Sequence, residues 1–194
     1  MVVTFLPLLT LIVSFRYLAS KRNQMSMEKR TSSSVEVGQD APDFFARNLD
    51  DERVELRSMI RGQKAVLLFY RGGWCPYCNK QLASISEDIQ KFRQVGATVV
   101  AVSGEEVEKG KELLKKLNLP IVLLSDTEFD GIDRYGVRDD NPNEYLRAKG
   151  ITRLSKPAAF VIDKMGVVRY KYVGKNAQDR PRNEDLLRVL GEIA

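Results

Sequence analysis

Three short apolar runs, separated by two stretches of helical period, constrain the fold of this 194-residue chain more than any other feature. The runs are KAVLLFY (64–70), ATVVAVS (97–103) and PIVLL (120–124). Each is too short for a buried helix and apolar at successive positions, as strands covered on both faces are. Between the first two, Leu82, Ile85, Ile89 and Phe92 lie at spacings of 3, 4 and 3, which predicts one helix from near Pro76 to just before Gly96. A second helix is expected over residues 105–117. Strand, helix, strand, helix, strand is the order of a parallel sheet with helices on its faces. AAFVID (158–163) and VVRYKYV (167–173), joined by Lys164-Met165-Gly166, add an antiparallel hairpin, so the fold class is α/β with a mixed central sheet flanked by helices. A last helix is expected from a cap at Asn183, with Leu186 or Leu187, Leu190 and Ile193 facing inward. Residues 139–156 show no clear period.

The first 34 residues are of different material. VVTFLPLLTLIVSF (2–15) is uncharged and mostly apolar, and Val2 to Ala19 as a helix would span roughly 27 Å. Residues 1–19 are therefore read as an apolar anchor or targeting segment, residues 20–34 as a polar linker, and residues 35–194 as one domain. Arg16, Lys21, Arg22, Lys29 and Arg30 all follow the apolar run. The adopted reading is a membrane anchor through residues 2–19 that leaves the domain facing the cytoplasm. The alternatives are a transit peptide leading to an organelle matrix, a secretory signal, and translation starting at Met25 or Met27 in the cytoplasm. Against Glu28, those five cations place four of the chain's five net positive charges before Val35. The domain itself is close to neutral and carries no basic stripe, so no nucleic-acid partner is expected.

Histidine is absent, which excludes serine–histidine and cysteine–histidine hydrolases and HExxH metalloenzymes. Two cysteines without histidine cannot close a tetrahedral zinc site. Those two cysteines, Cys75 and Cys78, sit in RGGWCPYCNK (71–80), where a strand should turn into a helix. Unpaired N–H groups and the helix dipole favour a thiolate there, and such placement can lower a cysteine pKa from about 8.5 to roughly 3.5–7.5. A second sulfur one turn away can then close a disulfide on the oxidised one. Pro76 suits the first helical turn because it lacks only an N–H that would have no partner. A purely structural bridge over so short a loop would remove little unfolded-state entropy, so the pair is read as redox-active.

Residues 37–173 resemble the peroxiredoxin branch of the thioredoxin-fold superfamily, the alkyl hydroperoxide reductase and thiol-specific antioxidant family. The resemblance is carried by Val37-Gly38-Gln39-Asp40-Ala41-Pro42-Asp43-Phe44, Val66-Leu67-Leu68-Phe69-Tyr70, Val102-Ser103, Leu124-Ser125-Asp126, Tyr135-Gly136-Val137, and Phe160-Val161-Ile162-Asp163 with Gly166-Val167-Val168. It implies a thioredoxin fold with an N-terminal β-extension. The site departs from the family pattern. With Phe69-Tyr70 set on the family's Phe-Tyr pair, Arg71 stands where proline is expected, Cys75 where threonine is, and Cys78 at the peroxidatic cysteine. Pro157 stands where the family carries its peroxide-orienting arginine.

Those same residues resemble a thioredoxin site. Trp74-Cys75 and Cys78 match its dithiol, and Pro157 resembles the cis-proline facing it. On that likeness Cys75 is the exposed attacking thiolate and Cys78 the buried resolving thiol. Pro76-Tyr77 is the glutaredoxin-like inner pair, and Phe69 replaces the buried acid of thioredoxins. Arg71 has two readings, a cation that serves thiolate or peroxide and a solvated loop arginine. Trp74 and Tyr77 are read as an apolar rim for a partner protein, or as caps on the core. Glu105 and Glu106 are read as compensating a helix dipole, Asp126 and Asp163 as turn or cap residues, and residues 174–181 as a loop. The resemblance implies a thiol-dependent oxidoreductase that reduces peroxides or disulfides with no bound cofactor or metal, drawing electrons from a thioredoxin or glutathione system. Thiol–disulfide exchange without peroxidase activity and a membrane-tethered redox sensor are the alternatives.

Overall fold

The computed structural model describes residues 34–193. Its elements in chain order are β1 (Phe45–Arg47), β2 (Arg53–Glu55), α1 (Leu56–Ile60), β3 (Lys64–Phe69), α2 (Pro76–Glu87), α3 (Ile89–Gln94), β4 (Ala97–Ser103), α4 (Val107–Leu117), β5 (Val122–Ser125), α5 (Asp130–Arg134), β6 (Arg138–Asp139), α6 (Glu144–Ala148), β7 (Leu154–Ser155), β8 (Ala158–Ile162), β9 (Val168–Val173) and α7 (Asn183–Glu192). Seven strands form one sheet in the order β2-β1-β5-β4-β3-β8-β9. The three apolar runs occupy its middle, with β3 parallel to β4 and β4 parallel to β5. The β8–β9 hairpin joins antiparallel to β3, and β1 and β2 extend the other edge as the expected N-terminal β-extension.

Period-two alternation along the central strands builds two cores. Val66, Leu68 and Tyr70 face the side covered by α2, α3, α4 and α7, where Leu82, Ile85, Phe92, Leu113, Leu186 and Leu190 are buried. Ala65, Leu67 and Phe69 face the side covered by α1 and α5. That second core holds a ring cluster in which Tyr135 lies tilted against Phe69 at 5.1 Å and edge-on to Phe160 at 4.9 Å and to Phe44 at 6.0 Å. Both cysteines belong to the first core, on the same face as Tyr70.

Several expectations need correction. The single helix expected over 76–95 is two helices, interrupted at Asp88. Asn183 docks at this break: its side-chain amide donates to the Ser84 carbonyl at 3.0 Å and to Asp88 Oδ2 at 2.8 Å, while the Asp88 N–H still reaches the Ser84 carbonyl at 3.2 Å. Asn183 is consequently not the cap of α7. It is the first helical residue, Arg182 stands at the cap, and the buried Asn183 side chain ties α7 to the α2–α3 break. Residues 139–156 hold a short helix capped by Asn143 and the small β6–β7 pairing, elements too brief to show a period. Asp126 and Asp163 do cap turns: Asp126 accepts from the N–H groups of Asp130 and Ile132, and Asp163 from those of Met165 and Val167. Among the described residues no helix is long and apolar enough to cross a membrane. The anchor, transit, signal and alternative-start readings concern residues 1–33 and lie outside the described residues.

The ring cluster yields a contrast measurable by urea unfolding. Phe160→Ala should cost about 3–5 kcal/mol, because a fully buried ring is replaced by a cavity. Tyr135→Phe should change stability by less than about 1 kcal/mol, because among the described residues the buried Tyr135 hydroxyl has no hydrogen-bond partner to lose.

Candidate active site

The site is made by the turn that leaves β3. The Tyr70 N–H still pairs with the Val102 carbonyl at 3.0 Å, and the chain then breaks away through Arg71-Gly72-Gly73-Trp74. A bond from the Cys75 N–H to the Gly72 carbonyl, 3.1 Å, closes the turn. Gly72 adopts φ +149°, and a Cβ there would lie 2.3 Å from the Trp74 indole nitrogen and 2.8 Å from the Glu105 carboxyl carbon. Only glycine meets both demands. Glu105 is therefore more than compensation for a helix dipole. It precedes α4 rather than lying in it, and its Oε2 accepts the Gly73 N–H at 2.6 Å. Burial raises its pKa, against the pull of that N–H. The Asn79 amide donates to the Gly73 carbonyl at 3.0 Å, so the turn is held from two sides.

Cys75 ends up as the extended N-cap of α2, with Pro76 in the first turn and Cys78 one turn further on. Both cysteines are free thiols. Both are also buried, Cys75 at 1% and Cys78 at 0% exposure, so the expectation of an exposed Cys75 is corrected. The exposed groups are Trp74 and Tyr77 on either side of it, at 39% and 40%. The two thiols perturb each other. The neighbouring Cys78 side chain lowers the Cys75 pKa against the opposing effect of burial, with help from the Cys78 backbone N–H and the charges of Arg71 and Arg180. The neighbouring Cys75 side chain, together with burial, raises Cys78.

Cys78 nonetheless has two N–H donors aimed at its sulfur. One is the backbone of Arg71 at 3.4 Å. The other is the Arg180 guanidinium, whose Nη2 lies 3.1 Å away. Arg180 belongs to residues 174–181, which the sequence marks only as a loop. That segment is strapped over the first turns of α2: Arg180 Nη1 donates to Gln81 Oε1 at 2.6 Å, and Gln178 Nε2 to the Tyr77 hydroxyl at 2.6 Å. Its own fold is held by Asp179, which accepts from the Tyr172 hydroxyl and from the Lys175 N–H.

The other candidates are placed as follows. The Arg71 guanidinium lies 5.1 Å from the centre of the Trp74 ring, so its side chain stacks while its backbone serves Cys78. Pro157 is not a cis-proline, since the described residues contain no cis peptide bond. The chain there is held extended into β8: the Lys156 N–H reaches the Val137 carbonyl at 2.6 Å, and the Gly174 N–H reaches the Pro157 carbonyl at 2.8 Å. Beside the turn runs an open cleft of about 300 Å³, lined by Arg71, Trp74, Glu105, Phe129, Ile151 and Arg153.

Sequence reasoning missed Arg180, although a signal for it existed. The β8–β9 register sets Ala158 opposite Val173, so the chain leaving β9 must emerge beside Pro157, where the family pattern lacks its arginine. Arg71, the nearest cation in sequence, stood in front of it as the obvious replacement.

Comparison with known proteins adds an independent finding. The AhpC/TSA family pattern matches residues 37–171. The chain is 33% identical over 161 residues to peroxiredoxin Q, chloroplastic, of Oryza sativa subsp. japonica, covering 82% of this chain and 68% of that protein. It is 32% identical over 135 residues to the putative peroxiredoxin bcp of Coxiella burnetii, covering 70% of this chain and 86% of that one. Among solved structures, peroxidoxin BcpB from Mycobacterium tuberculosis superposes with a TM-score of 0.70 at 22% identity, over 82% of this chain and 99% of that one.

The opposite shifts of the two thiols predict a graded response to alkylation by iodoacetamide. Cys75 should react at pH values below the ordinary thiol range and lose reactivity only as the pH falls through its lowered pKa. Cys78→Ser, which keeps a donor, should preserve that reactivity. Cys78→Ala should move the profile to higher pH, and at mildly acidic pH alkylation should slow by about tenfold for each whole pH step that the profile moves. Fast low-pH alkylation of a Cys75→Ser chain would instead assign the thiolate to Cys78.

Proposed function

Because this chain belongs to the AhpC/TSA family, we propose that it is a thiol peroxidase that reduces hydroperoxides through a Cys75–Cys78 dithiol/disulfide cycle. The observation that carries this reading is the placement of Cys75 as the N-cap of α2 with Cys78 one turn further on. It leaves a nucleophilic sulfur on Cys75 and a resolving thiol within reach. In the first step the Cys75 thiolate attacks the terminal oxygen of the hydroperoxide. An S–O bond forms, the O–O bond breaks, and the departing alkoxide takes a proton to leave as an alcohol. Cys78 then attacks the oxidised sulfur, an S–S bond forms, and the hydroxide that leaves is protonated to water. The peroxide gains two electrons and the dithiol loses them.

Restoring the dithiol requires an external thiol, and a thioredoxin or glutathione system fits the disulfide of such a short loop. The exposed rings of Trp74 and Tyr77 on either side of Cys75 offer a protein reductant an apolar rim. Thiol–disulfide exchange without peroxidase activity is the second reading, favoured by Cys75 standing where the family carries threonine. The chloroplastic relative supports the organelle reading of residues 1–33 over the membrane anchor, and with it an enzyme rather than a membrane-tethered sensor.

Stopped-flow mixing separates the readings. The single tryptophan, Trp74, adjoins Cys75 and should report a fluorescence change whose rate rises with peroxide concentration and far exceeds that of a free thiol. A rate no faster than a free thiol, combined with reduction of insulin disulfides, would leave the exchange reading standing and remove the peroxidase.

A further inference from the structure

Closing the disulfide requires Cys78 to lose its proton inside the protein. Burial and the neighbouring Cys75 side chain both resist this, and the acid that serves the purpose in thioredoxins is Phe69 in this chain. The groups around the sulfur are few. Tyr70, on β3, is buried and its phenol is pushed up, so it stays neutral. Glu105 lies on the Cys75 side and is engaged by the Gly73 N–H. Arg71 presents its backbone N–H to Cys78, while its guanidinium acts on Cys75 and stacks on Trp74. Among the described residues, only Arg180 brings a full positive charge to within hydrogen-bond distance of the Cys78 sulfur.

On the dithiol reading above, we infer that Arg180 is a catalytic residue of the second half-reaction, holding Cys78 as the thiolate that attacks oxidised Cys75. The guanidinium is fixed before the reaction begins: Nη1 on Gln81 at 2.6 Å, Nε on the Ala177 carbonyl at 3.2 Å, and Nη2 on the sulfur at 3.1 Å. A cation held in place by its other bonds stabilises developing negative charge without reorganising. The proton balance closes without an added base. The Cys78 thiol stands one helical turn from the attacking sulfur, and its proton transfers to the departing alkoxide. Cys78 becomes a thiolate between Arg180 and the Arg71 N–H. It then attacks the Cys75 sulfur, forming S–S and breaking S–O, and the released hydroxide takes a proton from solvent. This is a role for a cation reached through the β9–α7 loop, distinct from orienting peroxide from the Pro157 position.

The test uses the full chain and 5,5′-dithiobis(2-nitrobenzoate), so it does not depend on peroxidase activity. Attack by Cys75 releases one thionitrobenzoate, and resolution by Cys78 releases a second from the mixed disulfide. In Arg180→Gln and Arg180→Ala the second release should slow by about 10- to 100-fold and its pH profile should move upward, with the first release changed far less. Arg180→Lys, which keeps the charge, should recover part of the rate. A second release unchanged in rate and pH profile would overturn the assignment, as would equal slowing of both releases, which marks a merely structural strap. A parent chain inert to peroxide that still shows two releases would remove the peroxidase reading while leaving Arg180 to be decided by the same data.

Discussion

The placement of two buried sulfurs one helical turn apart at the start of α2 is the constraint on which the rest of this site depends. It sets a thiol of lowered pKa beside one of raised pKa in a place where water contributes little. A buried thiolate is costly by several kcal/mol unless donors surround it, and each charge-assisted bond returns about 1.5–3 kcal/mol. The surrounding structure can be read as the supply of those donors. The helix start, the Arg71 peptide and Arg180 each direct positive charge at the pair, and the strap of residues 174–181 is tied to the first turns of α2.

That supply depends in turn on the turn between β3 and α2. Gly72 lets the indole of Trp74 and the carboxyl of Glu105 come together where a side chain would stand, and Glu105 and Asn79 hold Gly73 from opposite directions. The turn sets where α2 begins, and so where both sulfurs lie. Helix α2 is ended as firmly as it is begun, since Asn183 docks α7 at the Asp88 break. The loop that carries Arg180 leads directly into α7, so the same docking anchors both ends of the strap's target.

Much of the fold was legible because burial leaves a period in the chain. The runs at 64–70, 97–103 and 158–163 are apolar on both alternations, and they became the central strands. Leu82, Ile85, Ile89 and Phe92 do line one core, yet their unbroken spacing concealed the break at Asp88. At that break the chain receives the side chain of an asparagine almost a hundred residues away, a contact no local pattern records. The short elements between residues 139 and 156 were illegible for a related reason: helices and strands this brief repeat no period.

The candidate site divides in the same way. The pairing of Cys75 with Cys78, the helix start at Pro76 and the glycine turn are consequences of residues adjacent in the chain, so the sequence by itself determined that two sulfurs would share a helix N-terminus within this family's fold. Tertiary structure alone decided their environment. Which cation touches Cys78 depends on where the β8–β9 hairpin delivers residues 174–181. Hydrogen bonding and burial act through space, between groups whose sequence separation is about a hundred residues, and only the folded register brings them within bonding distance.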